Sequence, residues 1–150
     1  MRFFTVAEWL NWLKSLHSLE MDLSLERVCA VAERLLLATS SYVITVAGTN
    51  GKGSTVAGLE QIYCSAGYKV GVFTSPCLYR LNEQIRINQI DISDDALLVA
   101  FNLVDIARED ITLTLYEFQT LAALIIFKNA NLDVWLLEVG LGGRFDAVNV

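Results

Sequence analysis

Apolar positions in this chain recur with two periods, and the change from one to the other marks out its elements. Phe4, Trp9, Trp12, Leu13 and Leu16 fall at helical spacing and predict an amphipathic helix over 5–19. A second helix is expected over 24–38, with Ser24 as its cap. YVITVAG (42–48) is a compact β-branched run that ends in glycine, the pattern of a buried strand. Residues 53–66 then read as a helix closed by Gly67. KVGVFTSP (69–76) is a second strand, stopped by the single proline. IRINQIDIS alternates in period two around Asn88-Gln89, which predicts a short hairpin. Ser93, Asp94 and Asp95 open a helix running to about Arg108, with the acids where the helix dipole favours them. Thr114 and Glu117 form a T-x-x-E capping box ahead of an apolar helix over 115–129. DVWLLEV (133–139) is a third buried strand and runs into the loop GLGGRFDAVN.

Strands alternating with helices predict an α/β fold, a parallel sheet wrapped on both faces, with no repeat or linker. In such sheets ligands bind beyond the carboxyl ends of the strands. GTNGKGS, TSPC and EVGLGGR each follow a strand at that end. The 150 residues suffice for one domain with its own core. Their 54% apolar content is high for a free-standing domain and implies a doubly covered sheet or a surface that meets more protein. A net charge of −6 argues against a broad nucleic-acid footprint. Three scattered cysteines, Cys29, Cys64 and Cys77, fit a reduced compartment, hence the cytoplasm. Glu8 and Lys14 interrupt the N-terminal apolar stretch, so it is no signal-peptide core. LAALIIF is too short to span a bilayer.

VAGTNGKGS (46–54) departs from the common phosphate loop, G-x-x-x-x-G-K-[ST]. Val46 stands where that pattern has glycine, and Gly53 follows Lys52. Its place between a strand and a helix nevertheless suits backbone N–H groups converging on a phosphate, aided by the helix N-terminus. Lys52 would set a point charge on the outer phosphates, and Ser54 or Thr55 would offer a hydroxyl to a phosphate-bound Mg²⁺. The alternative is a strand-to-helix turn with an exposed lysine. Glu138, at the end of an apolar strand, reads either as a Mg²⁺ ligand or as a capping or salt-bridge acid. GLGG after it frees the backbone for close approach to a ligand. Thr74 and Ser75 end the second strand, where a hydroxyl ligates metal or caps the turn before Pro76. Glu117 is accounted for by its capping box. His17, the single histidine, reads as a surface or packing residue. The tryptophans read as core or interface, since no basic stripe accompanies them.

Taken together, ITVAGTNGKGST, VGVFTSPCLYRLNEQIRIN and LYEFQTLAALIIFKNANLDVWLLEVGLGGRFDAVNV closely resemble the folate-glutamate ligases, which are folylpolyglutamate synthase and the bifunctional dihydrofolate synthase. These are relatives of the muramyl-peptide ligases. The family's phosphate loop is the G-T-N-G-K-G-[ST] form, with one glycine inserted after the lysine. Muramyl ligases usually have threonine there, so Gly53 favours the folate branch. The resemblance implies a Mur ligase-like central domain, present here in part. It implies ATP-dependent ligation of L-glutamate to dihydropteroate or folates through an acyl phosphate, with ATP and Mg²⁺ as cofactors. It also implies residue roles. Thr49, Asn50, Gly51 and Lys52 hold ATP, with Gly48, Gly53 and Ser54 completing the loop. Lys52 is the catalytic candidate, and Ser75 and Glu138 are the metal ligands. Met21, Asp22, Leu23 and Ser24, then Thr114, Leu115, Tyr116 and Glu117, then Phe145, Asp146 and Ala147 contact the pterin substrate.

Three positions depart from the family pattern. Cys77 replaces the histidine of TSPHL, Gln84 replaces the arginine of E-R-I, and Val148 replaces the threonine of D-A-T-N. Family members are far longer and have two domains, so residues 1–150 are expected to be the N-terminal part of the ATP-binding domain. Without the rest of that domain and the C-terminal glutamate-ligase domain, the segment is expected not to turn over. A non-catalytic nucleotide- or pterin-binding remnant and a muramyl-type ligase fragment are the alternatives.

Overall fold

The computed structural model describes residues 2–19, 22 and 24–150. A five-stranded sheet with order β1-β5-β2-β3-β4 forms its centre. Strands β1 (Tyr42–Val46), β2 (Val70–Phe73) and β5 (Val134–Glu138) run parallel. β3 (Ile85–Ile87) and β4 (Ile90–Asp91) are antiparallel and form the far edge. The expected parallel sheet is therefore mixed, because the hairpin read from IRINQIDIS pairs onto β2. Asn88 and Gln89 both take positive φ (50° and 68°), which lets a two-residue turn follow the twist of its strands.

Helices cover both faces, unequally. On one face α5 (Leu115–Asn129) is buried at every residue from Glu117 to Phe127. It lies between the sheet and a layer made of α1 (Val6–Leu13), α2 (Glu26–Arg34) and α4 (Asp94–Arg108), which is why its sequence lacks a polar stripe. Trp9 is fully buried there, with the rings of Phe3, Trp12, Phe101 and Phe118 centred 5.3, 5.6, 5.6 and 5.9 Å away. The other face carries α3 (Lys52–Ser65), anchored by Val56 on Val70, Val72, Val134 and Leu136. Each such side chain contributes roughly 1.5–3 kcal/mol on burial, so the α3 face holds much less apolar energy. A polar tie supplements it. Buried Glu60 pairs with Arg86 at 2.8 Å and accepts the Gln89 N–H, fixing α3 to the hairpin.

The element boundaries follow local chemistry. Ser93 accepts the Ala96 N–H, and Thr114 and Glu117 form the expected reciprocal box. Two expected helices are shorter than their apolar patterns. After Leu13 the chain tightens into three-residue turns, and the Ser15 hydroxyl bonds the Trp12 carbonyl, so α1 stops well before residue 19. Ser24 does not cap α2. The Asp22 carboxylate takes the Ser24 N–H at 2.8 Å in a local turn, and Leu25 enters the helix without a side-chain cap. Among the described residues no helix is long and apolar enough to cross a membrane.

Candidate active site

The parallel strands bring the three chemically marked segments to one edge of the sheet. Val46 pairs with Glu138 across β1 and β5, and Phe73 pairs with Leu137 across β2 and β5. The turn after β1, the TSPC segment and the glycine-rich loop after β5 therefore emerge side by side. Gly51 ends the first of these in the left-handed region (φ +77°) and hands the chain directly into α3. Residues 47–51 are exposed. Lys52 Nζ rests on the Gly48 carbonyl at 3.0 Å, and the Thr55 hydroxyl is taken by the Gly51 carbonyl at 2.9 Å. The Ser54 hydroxyl makes no such bond among the described residues.

Glu138 lies at the head of this arrangement. A Cβ placed on Gly53 would stand 4.0 Å from both of its carboxylate oxygens, so the start of α3 runs against it. The carboxylate is 5% exposed, takes one hydrogen bond, from the Ser75 N–H at 3.2 Å, and forms no ion pair among the described residues. Buried charges are otherwise paired or bound to a cation. The described residues contain no cluster of three or more His, Cys, Asp or Glu side chains able to hold a metal alone. One carboxylate beside one serine fits Mg²⁺, which keeps several waters and takes its remaining oxygens from phosphates. The salt-bridge reading of Glu138 finds no partner among the described residues, and the Ser75 N–H is the one bond left to the capping reading.

Beside Glu138 opens a cavity of about 510 Å³. Its wall joins Asp22, Thr114, Leu115, Tyr116, Glu117, Phe145, Asp146 and Ala147 with Ser75 at the edge, so three segments far apart in sequence meet in one place. Ser24 does not line it, and Met21 and Leu23 lie outside the described residues. Arg27, which sequence reasoning passed over, stands behind the wall. One of its nitrogens reaches Asp22 at 2.6 Å and another reaches Glu117 at 2.9 Å. Its planar fork thus sets two cavity acids with a single side chain. The Asp22 carboxyl is held below the usual range, first by the Ser24 N–H and further by Arg27. His17 packs behind the same acid, 3.7 Å from Asp22 and sharing a hydrogen bond with Thr112.

Tyr116 joins the cavity to the loop after β5. Its hydroxyl accepts the Gly140 N–H and donates to Asp146, each at 3.1 Å. Burial, then the Asp146 charge, push the phenol pKa well above its ordinary value, so it remains a donor. Leu25, Gln84 and Gln119 also line the cavity. Gln119 had a readable signal as a buried amide in an otherwise apolar helix, whereas Leu25 had none.

No protein-family model matches the chain. Sequence comparison finds the dihydrofolate synthase/folylpolyglutamate synthase of Escherichia coli 51% identical over 146 residues, 97% of this chain and 35% of that protein. Among solved structures, E. coli FolC in complex with DHPP and ADP superposes with a TM-score of 0.95 at 50% identity, covering 97% of this chain and 36% of that one. The bifunctional folylpolyglutamate synthase/dihydrofolate synthase from Yersinia pestis, complexed with AMPPNP and Mn ion, gives 0.93 at 50% over the same shares. Over 97% of its length the chain is thus similar to folylpolyglutamate/dihydrofolate synthases. It spans about a third of the length of the synthases it matches. The mixed sheet with helices on both faces is the family's fold, represented in part.

Proposed function

We propose that this chain contributes the nucleotide- and pterin-binding part of an ATP-dependent ligase that joins L-glutamate to dihydropteroate or to folylpolyglutamates. The observation that carries the reading is the convergence of Asp22, TLYE and FDA on one cavity beside a buried glutamate without an ion-pair partner among the described residues and a glycine-rich loop. The ligands bound in the related structures, ADP and DHPP in one and AMPPNP and Mn in another, support it.

Each group then has a physical task. The backbone of Gly48, Thr49, Asn50, Gly51, Gly53 and Ser54 wraps the phosphates, and Lys52 offsets their charge. Ser75 and Glu138 hold Mg²⁺, which neutralises phosphate charge when bound. Asp22 and Glu117 accept N–H groups of the pterin, and Leu115, Phe145 and Ala147 cover its ring. A carboxylate is a poor electrophile, so phosphorylation by ATP supplies the leaving group that the glutamate amine displaces, giving an amide, ADP and phosphate. Lining up the carboxylate with the phosphate is the part these residues perform. The reaction belongs to the cytoplasm, where Cys29, Cys64 and Cys77 stay reduced.

The segment matches only about a third of the relatives' length, and by itself it is expected not to turn over. Titration calorimetry with Mg·ATP and with pteroate tests the reading, and both are expected to bind. Heat from neither would overturn it, and glutamate-dependent ADP release by the segment, lost in Lys52→Ala, would overturn its dependence on further residues.

A further inference from the structure

We infer that His17 is a positioning residue for the Asp22 carboxylate, and that a proton taken up on its ring draws Asp22 off a bound pterin. The inference rests on the pterin-site reading above and adds its control by pH. The His17 side chain is 12% exposed and stands behind the cavity wall. One ring nitrogen, Nδ1, shares a hydrogen bond with the Thr112 hydroxyl at 2.8 Å. The other, Nε2, is buried with no hydrogen-bond partner among the described residues and lies 3.7 Å from Asp22 Oδ2. That gap is too long for a hydrogen bond and short enough for an ion pair. A neutral ring that donates through Nδ1 presents a lone pair at Nε2, which holds off a carboxylate. A doubly protonated ring presents a donor there instead. Charge-assisted N–H···O bonds run about 2.7–2.9 Å, so a shift of about 1 Å closes the gap.

The bonds already on Asp22 give that shift its consequence. Oδ1 takes the Ser24 N–H at 2.8 Å and Oδ2 takes Arg27 at 2.6 Å, which leaves about one lone pair on each oxygen. A protonated His17 takes the one on Oδ2, so Asp22 loses an acceptor and its charge is cancelled. The charges around it do not compensate. Arg27 is shared with Glu117 at 2.9 Å and offsets one of the two acids. The other Glu117 oxygen accepts the Thr114 N–H at 2.7 Å. On the segment that leads to Thr112, Arg108 is paired with Asp105 and Glu109 with Arg34, while Asp110 is exposed. Lys14, on the histidine's own segment, is exposed. Asp22 is therefore the one acid within ion-pair distance of His17 among the described residues. Its carboxyl is held below the usual range, first by the Ser24 N–H, so near neutrality the proton enters at the histidine.

Calorimetric titration of pteroate into the chain from about pH 5.5 to about pH 8 tests this, with His17→Asn and His17→Gln alongside. The unmodified chain is expected to lose about tenfold in affinity toward acid, the weight of one charge-assisted hydrogen bond. Either amide variant is expected to flatten the profile to within about twofold. A second measurement needs no variant. His17 is the single histidine, so its imidazole NMR signals are assigned without ambiguity. Linkage requires bound pteroate to move their titration to lower pH by about one unit, the same factor of about ten. Circular dichroism identifies which variants are folded, and the NMR titration decides if neither is. Pteroate binding with an equal pH slope in the unmodified chain and in a folded variant, or with a His17 titration unmoved by ligand, overturns this inference alone. No pteroate binding anywhere in the range overturns the pterin-site reading and this inference with it.

Discussion

The loops that follow β1 and β5 are both glycine-rich, leave adjacent parallel strands at the same edge, and are built in opposite ways. The loop after β1 bonds little to itself. Its residues 47–51 are exposed, and Lys52 merely rests on the Gly48 carbonyl. The loop after β5 is braced throughout. The Asp146 carboxylate takes the Leu141 and Val148 N–H groups at 2.9 and 3.1 Å, Tyr116 takes the Gly140 N–H, and the Asn149 amide donates to the Gly143 carbonyl. An exposed row of N–H groups is suited to an anion. A loop whose donors are already satisfied positions what lies beside it, here the cavity and Glu138. Glycine content therefore says little about a loop's task, and the destination of its backbone hydrogens says much.

Breaking the brace has the largest expected effect. Asp146→Ala removes the acceptor for two backbone N–H groups and for the Tyr116 hydroxyl, all at a buried carboxylate. At roughly 1–3 kcal/mol for each stranded donor, with some recovered by water, the loss is about 4 kcal/mol. Thermal unfolding should show Tm lower by about 10 °C. A fall of a degree or less would mean that the loop is not braced by this side chain. The open loop should respond in reverse. Lys52→Ala is expected to weaken Mg·ATP binding about 100-fold, near 2.7 kcal/mol, with Tm unchanged. Calorimetry and a melt on the same sample separate the two, and unchanged nucleotide affinity would remove Lys52 from the phosphate site.

This contrast also marks how far the sequence could be read. The strand-to-helix setting of GTNGKGS was legible because it depends on neighbours in the chain, and the Thr114 box and the Asn88-Gln89 hairpin were legible for the same reason. The family resemblance supplied the segments MDLS, TLYE and FDA, but no local pattern says that Asp22 of the first meets the other two. Their convergence depends on α2 and α5 packing on one face of the sheet. The double role of Glu117 shows the limit. Its capping bond to Thr114 was predictable from spacing, while its bond to Arg27, 90 residues away, was not. Ser24 is not the cap because α2 starts one residue later, with Leu25 at the cap position, a shift that spacing alone does not decide. Tyr116 as the brace of the second loop was equally hidden, since its partners come from the far end of the chain.

Two glycines sharpen the comparison with smaller effects. At Gly140 an added Cβ would lie 2.8 Å from Tyr116 Cζ and 2.9 Å from its hydroxyl oxygen. That ring is stacked against Phe73 and has little room to retreat, so Gly140→Ala should cost about 2 kcal/mol through overpacking. At Gly51 an added Cβ meets nothing within 4 Å, but φ is +77°. The cost of Gly51→Ala is therefore conformational, about 1 kcal/mol. The two mechanisms separate by their rescue. Asparagine tolerates the left-handed region, so Gly51→Asn should recover much of the stability lost in Gly51→Ala, whereas Gly140→Asn should be worse than Gly140→Ala because it adds bulk. Chemical denaturation of the four variants reads this directly. Equal losses for alanine and asparagine at position 51 would mean that space limits the first loop too, and the distinction between an open loop and a braced one would fail at its smallest element.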